Sequence, residues 1–146
     1  MDTRLAKPSD YKQLRETFKT KFPFNTQSEF ANYLLRELDT SASTEIYVVH
    51  NIVLGSLIGY FELRYGIAIG FKKYAQLNAL LVDHNYRECG IIDYVMKYIF
   101  NTVKQKNYKH LLLLIEVDDL LQNSTITREY NTNIFNLGKI MCMEVV

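Results

Sequence analysis

The 146-residue sequence predicts a mixed α/β (α+β) fold, a central sheet of about six strands with helices on both faces. Three observations lead there. An apolar run over 77–82 turns through a polar stretch ending in Gly90 and opens into an amphipathic segment, with Ile92, Val95, Met96, Ile99 and Val103 on one stripe and Asp93, Lys97, Asn101 and Lys104 on the other. Residues 111–115 are apolar at every position, as in a strand covered on both faces. Upstream, two β-rich runs, 45–50 and 53–65, are broken at Asn51 and Gly55. A strand, helix, strand crossover therefore spans 74–116.

Residues 2–7 read as the first strand, and Pro8, Ser9 and Asp10 start a helix with Tyr11, Leu14 and Phe18 at helical spacing, ending near Lys21. After the break at Phe22, Pro23 and Phe24, Thr26 and Glu29 fit a capping box for a second helix that turns Phe30, Tyr33, Leu34 and Leu38 inward. Segment 66–73, with two glycines and two lysines, is expected to turn the chain into the strand 74–82, and Asn107 to end the crossover helix. Asn123 or Ser124 would cap a last helix with Ile126, Tyr130, Ile134 and Leu137 inward and Gly138 at its end, although Thr125, Thr127, Asn131, Thr132 and Asn133 are poor helix formers. Residues 139–146 then leave room for one strand, whose apolar edge at Ile140, Met141, Cys142 and Met143 would recruit a second copy in a homodimer.

A hydrophobic content of 48% with 13% aromatic residues excludes a disordered chain, and the longest apolar run, 111–115, is too short to cross a bilayer. No membrane partner is expected. The N-terminal residues carry neither a signal core nor a transit pattern, which makes the cytoplasm the expected location. A net charge of +1 gives no global footprint for nucleic acid, and Lys104, Lys106, Lys109 and His110 read as a solvated helix end rather than a nucleic-acid patch. Cys89 and Cys142 have no neighbouring ligand spacing, so neither a metal nor a disulfide framework is expected. Cys89 alone invites a nucleophile reading, because a helix start lowers a thiol pKa, but no basic partner stands beside it in sequence.

The junction at 82–92 is the strongest functional feature. The first amides of a helix lack partners within it and the macrodipole adds partial positive charge, so this turn is a candidate anion site, with Arg87 offering a fork of donors and Gly90 permitting close approach. The element order resembles the GNAT superfamily of acyl-CoA-dependent N-acetyltransferases. Arg4-x-Ala6-x-x-Ser9-Asp10 is similar to the family's opening, and Leu81-Val82-Asp83-x-x-Tyr86-Arg87-x-x-Gly90-Ile91 resembles its signature Arg/Gln-x-x-Gly-x-Gly/Ala, with Ile92 in the third signature position and Glu88 inside the turn.

The resemblance implies one acyl-CoA-binding domain over 1–146, acetyl-CoA as co-substrate, and direct transfer of acetyl to a primary amine of a small molecule or peptide. It implies backbone groups of Leu81 and Val82 along pantetheine, between splayed strands, and the turn Arg87, Glu88, Cys89, Gly90, Ile91 and Ile92 around the pyrophosphate. The family's base position falls on Gln76, with Asn78 on the same face; neither amide takes a proton from an ammonium, which leaves Glu62 on the adjacent strand, or His84, to relay one through a held water. The alternative for Glu62 is a solvent-facing carboxylate. The family's proton-donating tyrosine falls on Ile134, and Tyr130, one turn earlier, is the substitute unless it is a core tyrosine. Phe22, Phe24 and the segment 65–74 would line the acceptor mouth together with Asn78, or else Phe22 and Phe24 pin the helical hairpin to the sheet. Ile92, Gln76, Ile134 and the short C-terminus motivate a competing reading, a catalytically inactive acyl-CoA-binding or regulatory module.

Overall fold

Alternation along two strands sets the layers. In β2 (Thr44–His50), Ile46 and Val48 point to one side of the sheet while Tyr47 and Val49 point to the other. In β3 (Leu57–Ile69), Tyr60 takes the first side, and Phe61 and Leu63 the second. On the first side Leu14 and Phe18 of α1 (Tyr11–Phe18) and Phe30 of α2 (Gln27–Leu38) close a core around Phe22. On the second, Ile91, Val95, Met96, Ile99, Phe100 and Val103 of α3 (Ile91–Gln105) do the same. Helices thus cover both faces.

The computed structural model describes residues 1–38, 43–86, 90–114, 134–137 and 140–145. Its sheet has seven strands in the order β1-β2-β3-β4-β5-β7-β6, where β1 is Asp2–Leu5, β4 Lys72–Val82, β5 His110–Leu114, β6 Ile134–Leu137 and β7 Ile140–Glu144. Among the described residues only β4 and β5 run parallel, joined by the crossover through α3. Three expectations on element bounds need correction. The strand expected to end before segment 66–73 continues to Ile69, pairing Ile67, Ala68 and Ile69 with Tyr74, Lys73 and Lys72, and the turn is reduced to Gly70 and Phe71.

The second correction is larger. Ile134 and Leu137, assigned to the inward stripe of a last helix, belong to strand β6, which pairs antiparallel with β7 from Ile134↔Met143 to Leu137↔Ile140. Ladder bonds to β7 satisfy this backbone, and they outweigh a helical stripe set among poor helix formers. The chain therefore ends in a two-stranded hairpin rather than a single strand. The third follows from it: β7 lies between β5 and β6, so residues 140–144 are not an open apolar edge, and the homodimer inferred from that edge loses its premise. The rest of that expected helix, with Tyr130 and Gly138, lies outside the described residues.

Local chemistry fixes the element ends. Arg4 forks onto Asp10 at 2.7 and 2.9 Å, and Asp10 also accepts the Lys7 amide at 2.8 Å, which ties β1 to the start of α1. Glu29 N–H donates to Thr26 Oγ1 at 3.1 Å, while the Glu29 carboxylate reaches back one residue further than a capping box requires, to the Asn25 amide at 3.0 Å. At the far end of α3 the amides of Asn107 and Tyr108 return to the carbonyls of Lys104 and Val103, and Asn107 sits at φ 66°, a Schellman stop.

Candidate active site

The site is built where β4 runs on past its described pairing with β5. β4 and β5 pair only at Ala75↔Leu111, Gln76↔Leu112 and Leu77↔Leu113, yet β4 runs on to Val82. Among the described residues, nothing pairs with 78–82 on that side, which leaves a strip of main-chain donors and acceptors at the mouth of the gap. The opposite edge of the strip is fixed by β3, from Glu62↔Ala79 to Gly59↔Val82.

A bulge stands at the head of this strip. The register passes from Leu63↔Leu77 to Glu62↔Ala79, so Asn78 is an extra residue. Its consequence is a change of phase: Leu77, Leu80 and Val82 all face α3, whereas Ala79 and Leu81 face α1 and α2. Val82 is buried and Leu81 half-buried, so what both offer the gap is backbone.

The strip leads to the start of α3. Gly90 caps that helix in the left-handed region, at φ 73° and ψ 13°, and a Cβ placed there would meet nothing within 4 Å. Glycine is needed for its torsion, and among the described residues the space beside it is open. The cap has no side-chain hydrogen bond, and among the described residues the amides of Ile91 and Ile92 have no acceptor. Ile91 is fully buried, and Ile92 packs against the α3-side core, so neither side chain stands over the helix end as a plug. Arg87, Glu88 and Cys89 lie outside the described residues. His84 is exposed in the single turn after β4.

Beside the bulge lies a carboxylate cluster. Glu62 is only 4% exposed, which rules out the solvent-facing alternative. Its Oε1 accepts the Tyr60 hydroxyl at 2.5 Å, and its Oε2 accepts the Tyr33 hydroxyl at 2.8 Å and Asn78 Nδ2 at 3.0 Å. Arg64 Nη2 donates to the Tyr33 oxygen at 3.3 Å. Burial, followed by the charge of Glu62 and the hydrogen bond to it, pushes both phenols well above the usual tyrosine range, so each remains a donor. Gln76 lies opposite Arg64 on β4 and is half-buried.

The structure thus brings Glu62 of β3 and Asn78 of β4 into direct contact and places Gln76 two residues before Asn78 on β4. Phe22 has no exposed surface and packs its ring against Tyr11, Phe24, Phe30 and Tyr60, the pinning arrangement. Phe24, half-buried, also meets Tyr33 at 4.9 Å between ring centres. Lys106, assigned to a solvated helix end, pairs with Glu45 and lies 4.6 Å over the Tyr65 ring. Sequence reading missed Tyr60 and Arg64 as site residues and took Tyr33 only for core. The alternation Tyr60, Glu62, Arg64, which puts three polar tips on one face of a strand, was the available signal.

No protein-family profile matches the chain, and no curated protein matches its sequence. Solved structures do. A spermidine N-acetyltransferase variant from Vibrio cholerae superposes with a TM-score of 0.69 at 12% identity over 100% of this chain and 95% of that one. An acetyltransferase of the GNAT family from Staphylococcus aureus superposes at 0.66 with 13% identity over 99% of both chains. The fold is the GNAT fold. An aminoglycoside 6'-N-acetyltransferase from Acinetobacter haemolyticus shares it, with a TM-score of 0.67 and 11% identity over 94% of each chain. At these identities the likeness is one of architecture. Among the described residues no helix is long and apolar enough to cross a membrane.

Proposed function

We propose that this protein is an N-acetyltransferase that moves an acetyl group from acetyl-CoA to a primary amine, the chain 1–146 serving as one acyl-CoA-binding domain. A single observation carries the reading: a β4 strip, 78–82, unpaired on one side among the described residues, leads toward a helix start whose glycine cap has open space beside it among those residues. The strip suits the amide groups of pantetheine, and the amides of Gly90, Ile91 and Ile92, with Arg87 alongside in sequence, suit a diphosphate. When bound, acetyl-CoA supplies the acetyl group as a thioester. The amines named for the spermidine and aminoglycoside enzymes of the same fold are consistent with an amine acceptor.

In this reading Glu62 is the base, Asn78 and Gln76 orient the acceptor, and Tyr130 protonates the departing thiolate. A second reading has one observation in its favour. Both Glu62 oxygens already hold donors, as they would in a catalytically inactive acyl-CoA-binding module. Calorimetric titration with acetyl-CoA, followed by assay of CoA release with a panel of primary amines, separates the readings. Binding with release is the expected result; binding without release to any amine favours the module, and no heat and no thermal shift at millimolar acetyl-CoA removes both.

A further inference from the structure

The route by which a proton reaches Glu62 is narrow. The carboxylate is enclosed, and among the described residues three groups hydrogen-bond to it. Tyr60 is itself buried at 1% exposure and offers no outward path. Asn78 stands at the mouth of the gap, but an amide nitrogen gives a hydrogen bond without giving or taking a proton. Tyr33 is half-buried, comes from α2 rather than the sheet, and has its hydroxyl on the same Glu62 oxygen that Asn78 contacts. Its oxygen also accepts from Arg64, a guanidinium that keeps its proton throughout. Of the groups on Glu62, Tyr33 is therefore the one that is both partly open and able to receive a proton on one side while releasing one on the other.

We propose that Tyr33 is a catalytic proton relay, passing the proton of an acceptor ammonium to Glu62. An N–H bond of the ammonium breaks as an O–H bond forms on the Tyr33 oxygen; the original Tyr33 O–H breaks as one forms on Glu62 Oε2. The acceptor is left as a neutral amine with a free lone pair, Glu62 as a neutral carboxylic acid, and Tyr33 as a neutral phenol. This step rests on the acetyl-transfer reading and specifies its acceptor as an amine that arrives protonated. The Arg64 bond, directed at the phenol oxygen, steadies the negative charge that passes through it.

The test compares two nucleophiles with the wild-type protein and its Tyr33→Phe variant. Ethylamine is protonated at neutral pH, and hydroxylamine is already neutral. With ethylamine, Tyr33→Phe is expected to lose about a hundredfold in kcat/KM at pH 7, and its rate should climb about tenfold per pH unit where the wild type levels off. With hydroxylamine the loss should be far smaller. Tyr60→Phe removes an equal hydrogen bond from Glu62 off the route, and should keep the shape of the wild-type pH profile. Equal losses with both nucleophiles, or a wild-type profile in Tyr33→Phe, would overturn the relay. If the variant does not fold, a proton inventory on the wild type with ethylamine decides: curvature from two protons in flight supports the relay, and a line from one proton overturns it. Calorimetry with acetyl-CoA keeps the two levels apart. Transfer that ignores Tyr33 sinks this inference alone, absence of acetyl-CoA binding sinks the coenzyme reading, and binding with transfer to neither nucleophile sinks the relay together with acetyl transfer.

Discussion

The two faces of β3 are built from neighbouring residues and are made of different material. Toward α3, Phe61 stacks on Tyr47 at 4.9 Å between ring centres and Leu63 packs among aliphatic side chains. Toward α1 and α2, the next positions carry Tyr60, Glu62 and Arg64, and a carboxylate occupies volume that hydrocarbon could fill. Asp10, the other buried carboxylate among the described residues, stands at the start of α1. Burying an ion costs several kcal/mol before its partners offset it. The α3 face is thus built for stability, and the α1 and α2 face gives up some of that for a held charge.

The contrast can be broken from either side. Phe61→Ala should have the largest effect, about 4 kcal/mol of unfolding free energy from lost burial and the cavity left behind, read by urea denaturation. Its acetyl-CoA affinity per folded molecule should stay close to that of the wild type. Glu62→Gln should cost about 2 kcal/mol, because an amide NH2 would then confront a set of donors. Turnover should fall about a hundredfold or more, far beyond what that loss of stability explains, as assayed by CoA release. A turnover loss matched by Phe61→Ala would dissolve the distinction between the faces.

The smallest effect concerns Asp10. Burial alone would raise its pKa, but the Arg4 fork and the Lys7 amide more than reverse that, so the folded carboxyl titrates below the ordinary value. A lowered folded pKa means its contribution is present above the unfolded value of about 3.9 and is lost as pH falls through the lower, folded one. Asp10→Asn should lower stability by about 1 kcal/mol near neutral pH and flatten this part of the acid limb, measured by urea unfolding across a pH series. A variant with an unchanged acid limb would show that the pair contributes nothing in solution.

How much of this was legible in the sequence depends on the kind of signal. The crossover was, because Val95, Met96, Ile99 and Val103 repeat at helical spacing and 111–113 are apolar throughout. Asn107 was also legible, since few other residues accept its torsion. Strand β6 was not: Ile134 and Leu137 satisfy a helical stripe as well as a short strand, and pairing with β7 decides between them. At the site, Glu62 and Asn78 could be picked out as chemistry on adjacent strands. Tyr33 could not, because it lies 29 residues from Glu62 and meets it only once α2 has packed on the sheet. Nor could the extra residue in β4, since asparagine in a strand leaves no mark of which neighbour it displaces.

That displaced register governs how the strand tolerates change. Straightening the strand with Asn78 drawn into the ladder would act like a frameshift: Leu80 and Val82 would swing out from under α3, and Ala79 and Leu81 would take their places, whereas deleting Asn78 would leave Leu77, Ala79, Leu80, Leu81 and Val82 alternating on the faces they already occupy. Substituting Asn78 removes one hydrogen bond to Glu62, and omitting it removes that bond together with the bulge while keeping both surfaces of the strand. The bulge thus lets this chain carry one residue more than its ladder needs, and spends that residue on a contact with the buried carboxylate.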